Sequence, residues 1–226
     1  MEQIEKLKTA AMAMASDLKV QTVGGAEKTN NTVMDMDYVN SILHDWNAMP
    51  KKAAILTIEQ YGPPNEAIFS RLIWYNNGPW KRTIVYRDEI PHDFPQPHTD
   101  VIENFINYSV PLDMFNELAK FDGSIIVERT RGEVSSRCDM EAANILALNL
   151  MNDIVTGKLN AEKARKVYCE IITAFMMNNS TPYAERLQFA VPKGKTFDTD
   201  KVMIVNEMSN QVTEKVEDVL SNDSNI

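Results

Sequence analysis

Residues able to do chemistry concentrate in two stretches of the chain. The first is His92-Asp93-Phe94-Pro95-Gln96-Pro97-His98-Thr99-Asp100, which holds two of the three histidines and two carboxylates. Imidazole combined with carboxylate suits zinc or non-haem iron, and a histidine beside an acid suits proton transfer. On a loop, however, five residues between the histidines do not set both rings on one side as a single helical turn would, and Asp100 is accounted for as a helix cap. The stretch is therefore read as a rigid surface loop. It is assigned neither metal nor cofactor, while His92 and His98 are kept as candidate ligand-binding residues. The enzymatic alternative is a hydrolase or metal-dependent enzyme using His92, Asp93 and His98 together with Cys138.

The second stretch is Val127-Glu128-Arg129-Thr130-Arg131-Gly132-Glu133-Val134-Ser135-Ser136-Arg137-Cys138-Asp139. If it is extended, the period of two places Arg129, Arg131, Glu133, Ser135 and Arg137 on one face. Three guanidiniums there would grip a carboxylate or phosphate through planar paired donors. The competing role is structural, with these arginines pairing to Glu128, Glu133, Asp139 or Glu141. Cys138 lies just before a predicted helix start and next to Arg137, a setting that favours thiolate and would make it a nucleophile with His92 or His98 as base. Ser135 and Ser136 lack the glycine-flanked elbow of a serine nucleophile. Trp80, following Pro79 at a predicted turn tip, is expected to be exposed and to contact ligand, whereas Trp74 is expected to pack.

Positioning these groups needs a mixed set of elements. Residues 1 to 36 read as a helix-prone piece followed by turn formers, a weakly tied arm. Apolar spacing from Val39 to Ile58 predicts two short helices broken near Pro50, ending at Tyr61-Gly62-Pro63-Pro64. Arg71–Tyr75 and Thr83–Tyr86 read as a hairpin. Pro91, Pro95 and Pro97 predict an irregular loop over 89–98, after which Thr99-Asp100 is read as capping a helix. A second short helix runs from Leu112 to Lys120. Residues 124–137 read as a strand or a bent pair hinging at Gly132. An amphipathic helix capped by Asp139 and stopped by Gly157, then one capped by Asn160, form a helical hairpin over about 139 to 178. Leu187–Val191 reads as a strand, Val202–Val205 as a strand or helix start, and 206–226 as a C-terminal helix or tail.

The composition excludes several classes. The chain has 226 residues, 44% apolar and 24% charged, as ordinary folded domains do. Its net charge of −9 repels phosphate backbones, which argues against nucleic acid. No apolar run is long enough for an integral membrane segment. The opening Met-Glu-Gln-Ile-Glu-Lys has the wrong charge for a secretory signal, so a cytoplasmic protein is expected, or a periplasmic one if a leader has been removed. Two cysteines, Cys138 and Cys169, allow one bridge but no disulfide framework.

The segment Gln60-Tyr61-Gly62-Pro63-Pro64 with Ser70-Arg71-Leu72-Ile73-Trp74-Tyr75, a helix end, Gly-Pro turn and aromatic strand, resembles the opening of small envelope modules of the SmpA/OmlA and beta-lactamase-inhibitor-like type. No lipid-bearing N-terminal cysteine accompanies it. More of the chain, from Gly78-Pro79-Trp80-Lys81-Arg82 through Phe121-Asp122-Gly123-Ser124 to the Asn144–Gly157 helix, resembles uncharacterised bacterial α+β proteins, which implies no activity.

The expected architecture is thus α+β: a small antiparallel sheet of four to six strands packed against a helical hairpin and shorter helices, with 37–205 as one domain. The expected function is non-enzymatic. Arg129, Arg131 and Arg137, with Trp80, His92 and His98, would bind a small acidic ligand or a protein partner. The apolar helical hairpin leaves a homodimer open.

Overall fold

The computed structural model describes residues 3–23, 32–197 and 200–201. The chain forms two compact units, 1–28 with 199–226, and 29–198. In the first, Gln3–Val23 is one helix, α1, rich in alanine. The turn formers after it and the 202–226 predictions lie outside the described residues. Among the described residues, no helix is long and apolar enough to cross a membrane.

The second unit is α+β, and it holds both chemistry-bearing stretches. It opens with α2 (Met36–His44), whose N-cap Asp35 accepts from the Asp37 and Tyr38 amides, and α3 (Ala48–Tyr61). Gly62, at φ 80°, closes α3 before the prolines. Six antiparallel strands follow: β1 (Glu66–Ile68), β2 (Arg71–Tyr75), β3 (Arg82–His92), β4 (His98–Asn107), β5 (Ile125–Glu128) and β6 (Glu133–Cys138), in the order β1-β2-β3-β4-β6-β5. A short 3-10 turn (Leu112–Met114) and α4 (Phe115–Phe121) link β4 to β5; α5 (Glu141–Val155), α6 (Ala161–Met176) and α7 (Pro182–Glu185) complete the unit. The hairpin of β2 and β3, the helical hairpin of α5 and α6, and the Asn160 cap on the Lys163 amide agree with expectation.

In this unit α2, α3, α5 and α6 cover one face of the sheet. Strand register aligns Trp74, Thr83, Asn104 and Ser136 across it, so Leu72, Val85, Ile102, Ile106, Val134 and Cys138 share the buried side. Leu72, Trp74 and Val85 pack with α2 and α3, and Ile106 and Val134 with α5 and α6. Asn144 on α5 donates to the Ile102 carbonyl and to Asn104 Oδ1, satisfying polar atoms that burial would otherwise strand.

Four expectations are corrected. Residues 99–106 form β4, not a helix: the run Val101-Ile102-Glu103-Asn104-Phe105-Ile106 lies between two partner strands and is buried on both faces, which removes the alternation that would mark a strand. Strand β3 continues through Pro91, because β2 pairs with it only as far as Tyr86 and beyond that point a missing amide on the outer edge costs no ladder bond. Leu187–Val191 is not a strand; the Asn149 side chain serves its neighbourhood instead, donating to the Tyr183 and Arg186 carbonyls and accepting from the Gln188 amide. The N-cap of α5 is Met140 rather than Asp139, and no side chain caps it.

Candidate metal centre

One irregularity in the sheet builds the site. Between Val85, opposite Ile102, and Ile90, opposite Asp100, β3 advances five residues while β4 advances two. An odd excess reverses which side chains point to which face. Before the bulge the odd positions Thr83 and Val85 face the helices; after it the even position His92 does, directly opposite His98. The alternation along β4 puts His98, Asp100 and Ile102 on that same side.

The result is a compact, largely buried polar cluster. His92, His98 and Asp100 each offer a ligand atom within 4.8 Å of the others. His98 Nδ1 lies 2.8 Å from the Gln96 carbonyl oxygen, which only accepts, so this nitrogen carries the proton. Nε2 lies 3.2 Å from Asp100 Oδ1 and 3.4 Å from Cys138 Sγ. Asp100 is 4% exposed, and its Oδ1 has no hydrogen-bond partner apart from a proton on His98 Nε2. Its other oxygen accepts from the Ser124 hydroxyl. Around His92, Nδ1 has Ser124 Oγ at 3.2 Å and Asp100 Oδ2 at 3.7 Å, and Nε2 has Asp122 Oδ1 at 3.7 Å.

Electrostatics concentrate on the same atoms. The Asp100 carboxylate, and then Cys138, push the His98 imidazole up to about 11, so in the absence of another cation a proton sits between these groups. Burial raises Asp122 above the usual carboxylate range, with neighbouring Asp100 adding to the shift. Burial also pushes the Cys138 thiol up. Aromatic rings wall the cluster: Phe94 packs against Tyr168 and Phe121 with centroids 5.2 and 6.4 Å away, and Arg165 stacks over Phe94 while donating to the Phe121 carbonyl.

The donor set fits a divalent transition metal. With bonds of about 2.0–2.1 Å, ligand atoms on a tetrahedral zinc lie about 3.3 Å apart. The 3.2 Å between His98 Nε2 and Asp100 Oδ1 is already that edge. Whichever His92 nitrogen takes a metal, the other keeps an oxygen partner, and His98 keeps Gln96; such outer bonds orient imidazole ligands.

The other candidates fare differently. Asp93 is exposed and contributes nothing to the cluster, while Asp100, which the sequence suggested as a helix cap, supplies the carboxylate. Arg129 and Arg131 lie in the β5–β6 turn, where Gly132 takes φ 62°, so the single extended face does not exist. Of the three arginines only Arg137 is on a strand, on the sheet face away from the helices, where it donates to the buried Glu103. Arg131 lies 3.6 Å from Glu133, which also pairs with Arg82 and Lys81. Trp80 is not exposed: it is 2% accessible, its indole donating to Glu141 Oε1 and its ring packing in the main core. A turn tip that folds back onto α5 buries what sequence position alone would leave outside.

Sequence reasoning missed Asp122 and Ser124, which precede β5 and carry no spacing relation to the histidines. Compared with known proteins, the chain matches no family model, no curated protein and no solved structure.

Proposed function

We propose that this protein binds a divalent transition-metal ion, zinc foremost, through His92, His98 and Asp100. The observation that carries this reading is the buried grouping of His92, His98 and Asp100, with Asp100 Oδ1 3.2 Å from His98 Nε2. A buried carboxylate oxygen and an imidazole nitrogen this close share a cation, and a metal ion would take the place of the proton. His92 and His98 flank the 93–97 connection, so an ion held there ties the two ends of β3 and β4 together. With the His98 and Asp100 side chains 9% and 3% exposed, the centre suits a structural role, in which metal affinity adds to fold stability.

Less supports an acidic ligand on the arginine face, since the Arg137 and Arg82 guanidiniums are already paired with Glu103 and Glu133. A Cys138 nucleophile is disfavoured by its burial and its raised thiol.

The test is a titration of metal-stripped protein with zinc, followed by calorimetry and thermal unfolding. At a hundredfold excess over Kd, binding adds about 2.7 kcal/mol, a rise in Tm of about 5–10 °C for a domain of this size. The near-isosteric Asp100→Asn and His98→Ala variants should lose that rise. A wild-type protein whose Tm ignores zinc, or an Asp100→Asn variant that responds fully, would overturn the proposal.

A further inference from the structure

A second constellation lies apart from the metal-site residues, where the end of α3, the β2–β3 turn, the start of α5 and the 185–191 segment enclose a cavity of about 450 Å³. Its walls include Ile145, Leu187 and Phe189, with Tyr61 and Glu141 supplying polar groups. This is the size of a small-molecule site, and apolar and polar side chains share its lining.

Glu141 is the informative residue. Its Oε1 accepts from the Tyr61 hydroxyl at 2.6 Å, the Trp80 indole at 2.9 Å and the Gln60 amide at 3.5 Å, all neutral donors. Among the described residues no lysine, arginine or histidine pairs with it, and its Oε2 accepts from none. Its carboxylate is thus held through one oxygen, and no cationic side chain among the described residues pairs with it. Glu185 adds a second negative charge to the lining, where Arg186 is the one cationic residue. Burial, and then Glu141, hold the Tyr61 hydroxyl well above its ordinary value, so it stays a donor to that oxygen.

We infer that this cavity binds a small organic ammonium ion with an apolar body, the ammonium on Glu141 Oε2 and the body against Ile145, Leu187 and Phe189. The net charge of −9 favours approach of such a cation. Recognition here combines a charge-assisted hydrogen bond with apolar burial, and each half can be removed separately.

Phenethylammonium chloride is the probe, titrated into the full chain by calorimetry with tryptophan emission as a second readout, because Trp80 shares the Glu141 oxygen. Phenethyl alcohol, of the same shape without the charge, is the comparator. Saturable one-to-one binding is expected, with the alcohol and the Glu141→Gln variant each weaker by about tenfold or more. Phe189→Ala, which leaves the Glu141 hydrogen bonds in place, should also weaken binding and decides the matter if Glu141→Gln fails to fold. Equal affinity for alcohol and ammonium, undiminished affinity in Phe189→Ala, or no saturable binding to the wild-type chain would overturn the inference.

Discussion

His92 and His98 stand directly opposite each other in the β3–β4 ladder, their ring centroids 5.0 Å apart. They meet on the helix-covered face only because β3 carries an odd number of extra residues between Val85 and Ile90. A ladder without that excess would send His92 to the opposite face from His98 and Asp100.

Deleting Asp88 tests this relationship. Asp88 is exposed and, among the described residues, pairs with its neighbour Arg87, so its removal costs little packing. It changes the excess from odd to even and should turn His92 away from the cluster. The expected outcome is retained far-ultraviolet circular dichroism with loss of the zinc-induced rise in Tm. A deletion protein that still binds zinc as tightly as wild type would show that the bulge does not aim the ligand.

Asp122→Asn probes the outer shell. Asp122 Oδ1 lies 3.7 Å from His92 Nε2 and is buried, and outer partners of metal-bound imidazoles typically matter by about 10–100-fold in affinity. Zinc Kd should rise within that range while one-to-one stoichiometry persists. Unchanged affinity would leave Asp122 as a structural turn residue that accepts from the Ser124 amide.

Glu133 should govern the acid limb of stability. Burial alone would raise its carboxyl, but hydrogen bonds from Arg82 and Lys81 hold it below the usual range. A depressed folded value means the contribution is complete above the unfolded value of about 4.3 and is lost as pH falls through the lower folded one. Glu133→Gln leaves the Arg82 guanidinium buried without its counter-charge and should cost about 3–5 kcal/mol in urea unfolding at neutral pH. The wild-type and variant curves should converge below pH 4; parallel curves down to that pH would count against the pairing.

Thiol labelling separates the two cysteines. Cys169 is exposed on α6, while Cys138 is 6% accessible with its thiol pushed up by burial. Native protein should therefore consume one equivalent of iodoacetamide quickly at neutral pH and the second only on unfolding. A Cys169→Ser protein that reacts faster than a free thiol would restore Cys138 as a nucleophile.

Local chemistry determined much of this molecule from sequence alone. The β2–β3 hairpin, the Asn160 cap and the helical hairpin were legible because turn residues, caps and periodicity act over a few neighbours, whereas 124–137 read equally as one strand or as the bent β5–β6 pair that forms at Gly132. His92 and His98 were legible as residue types but not as a pair on one face. Tertiary structure decided the rest. Burial on both sheet faces turned the apparent Val101–Ile106 helix into β4, and the bulge set the orientation of His92. A return of the chain from α4 brought Asp122 and Ser124 beside them, and α5 covered Trp80 and gave its indole Glu141. Each of these depends on which distant segment supplies the neighbour, and for that reason spacing along the chain carried no trace of it.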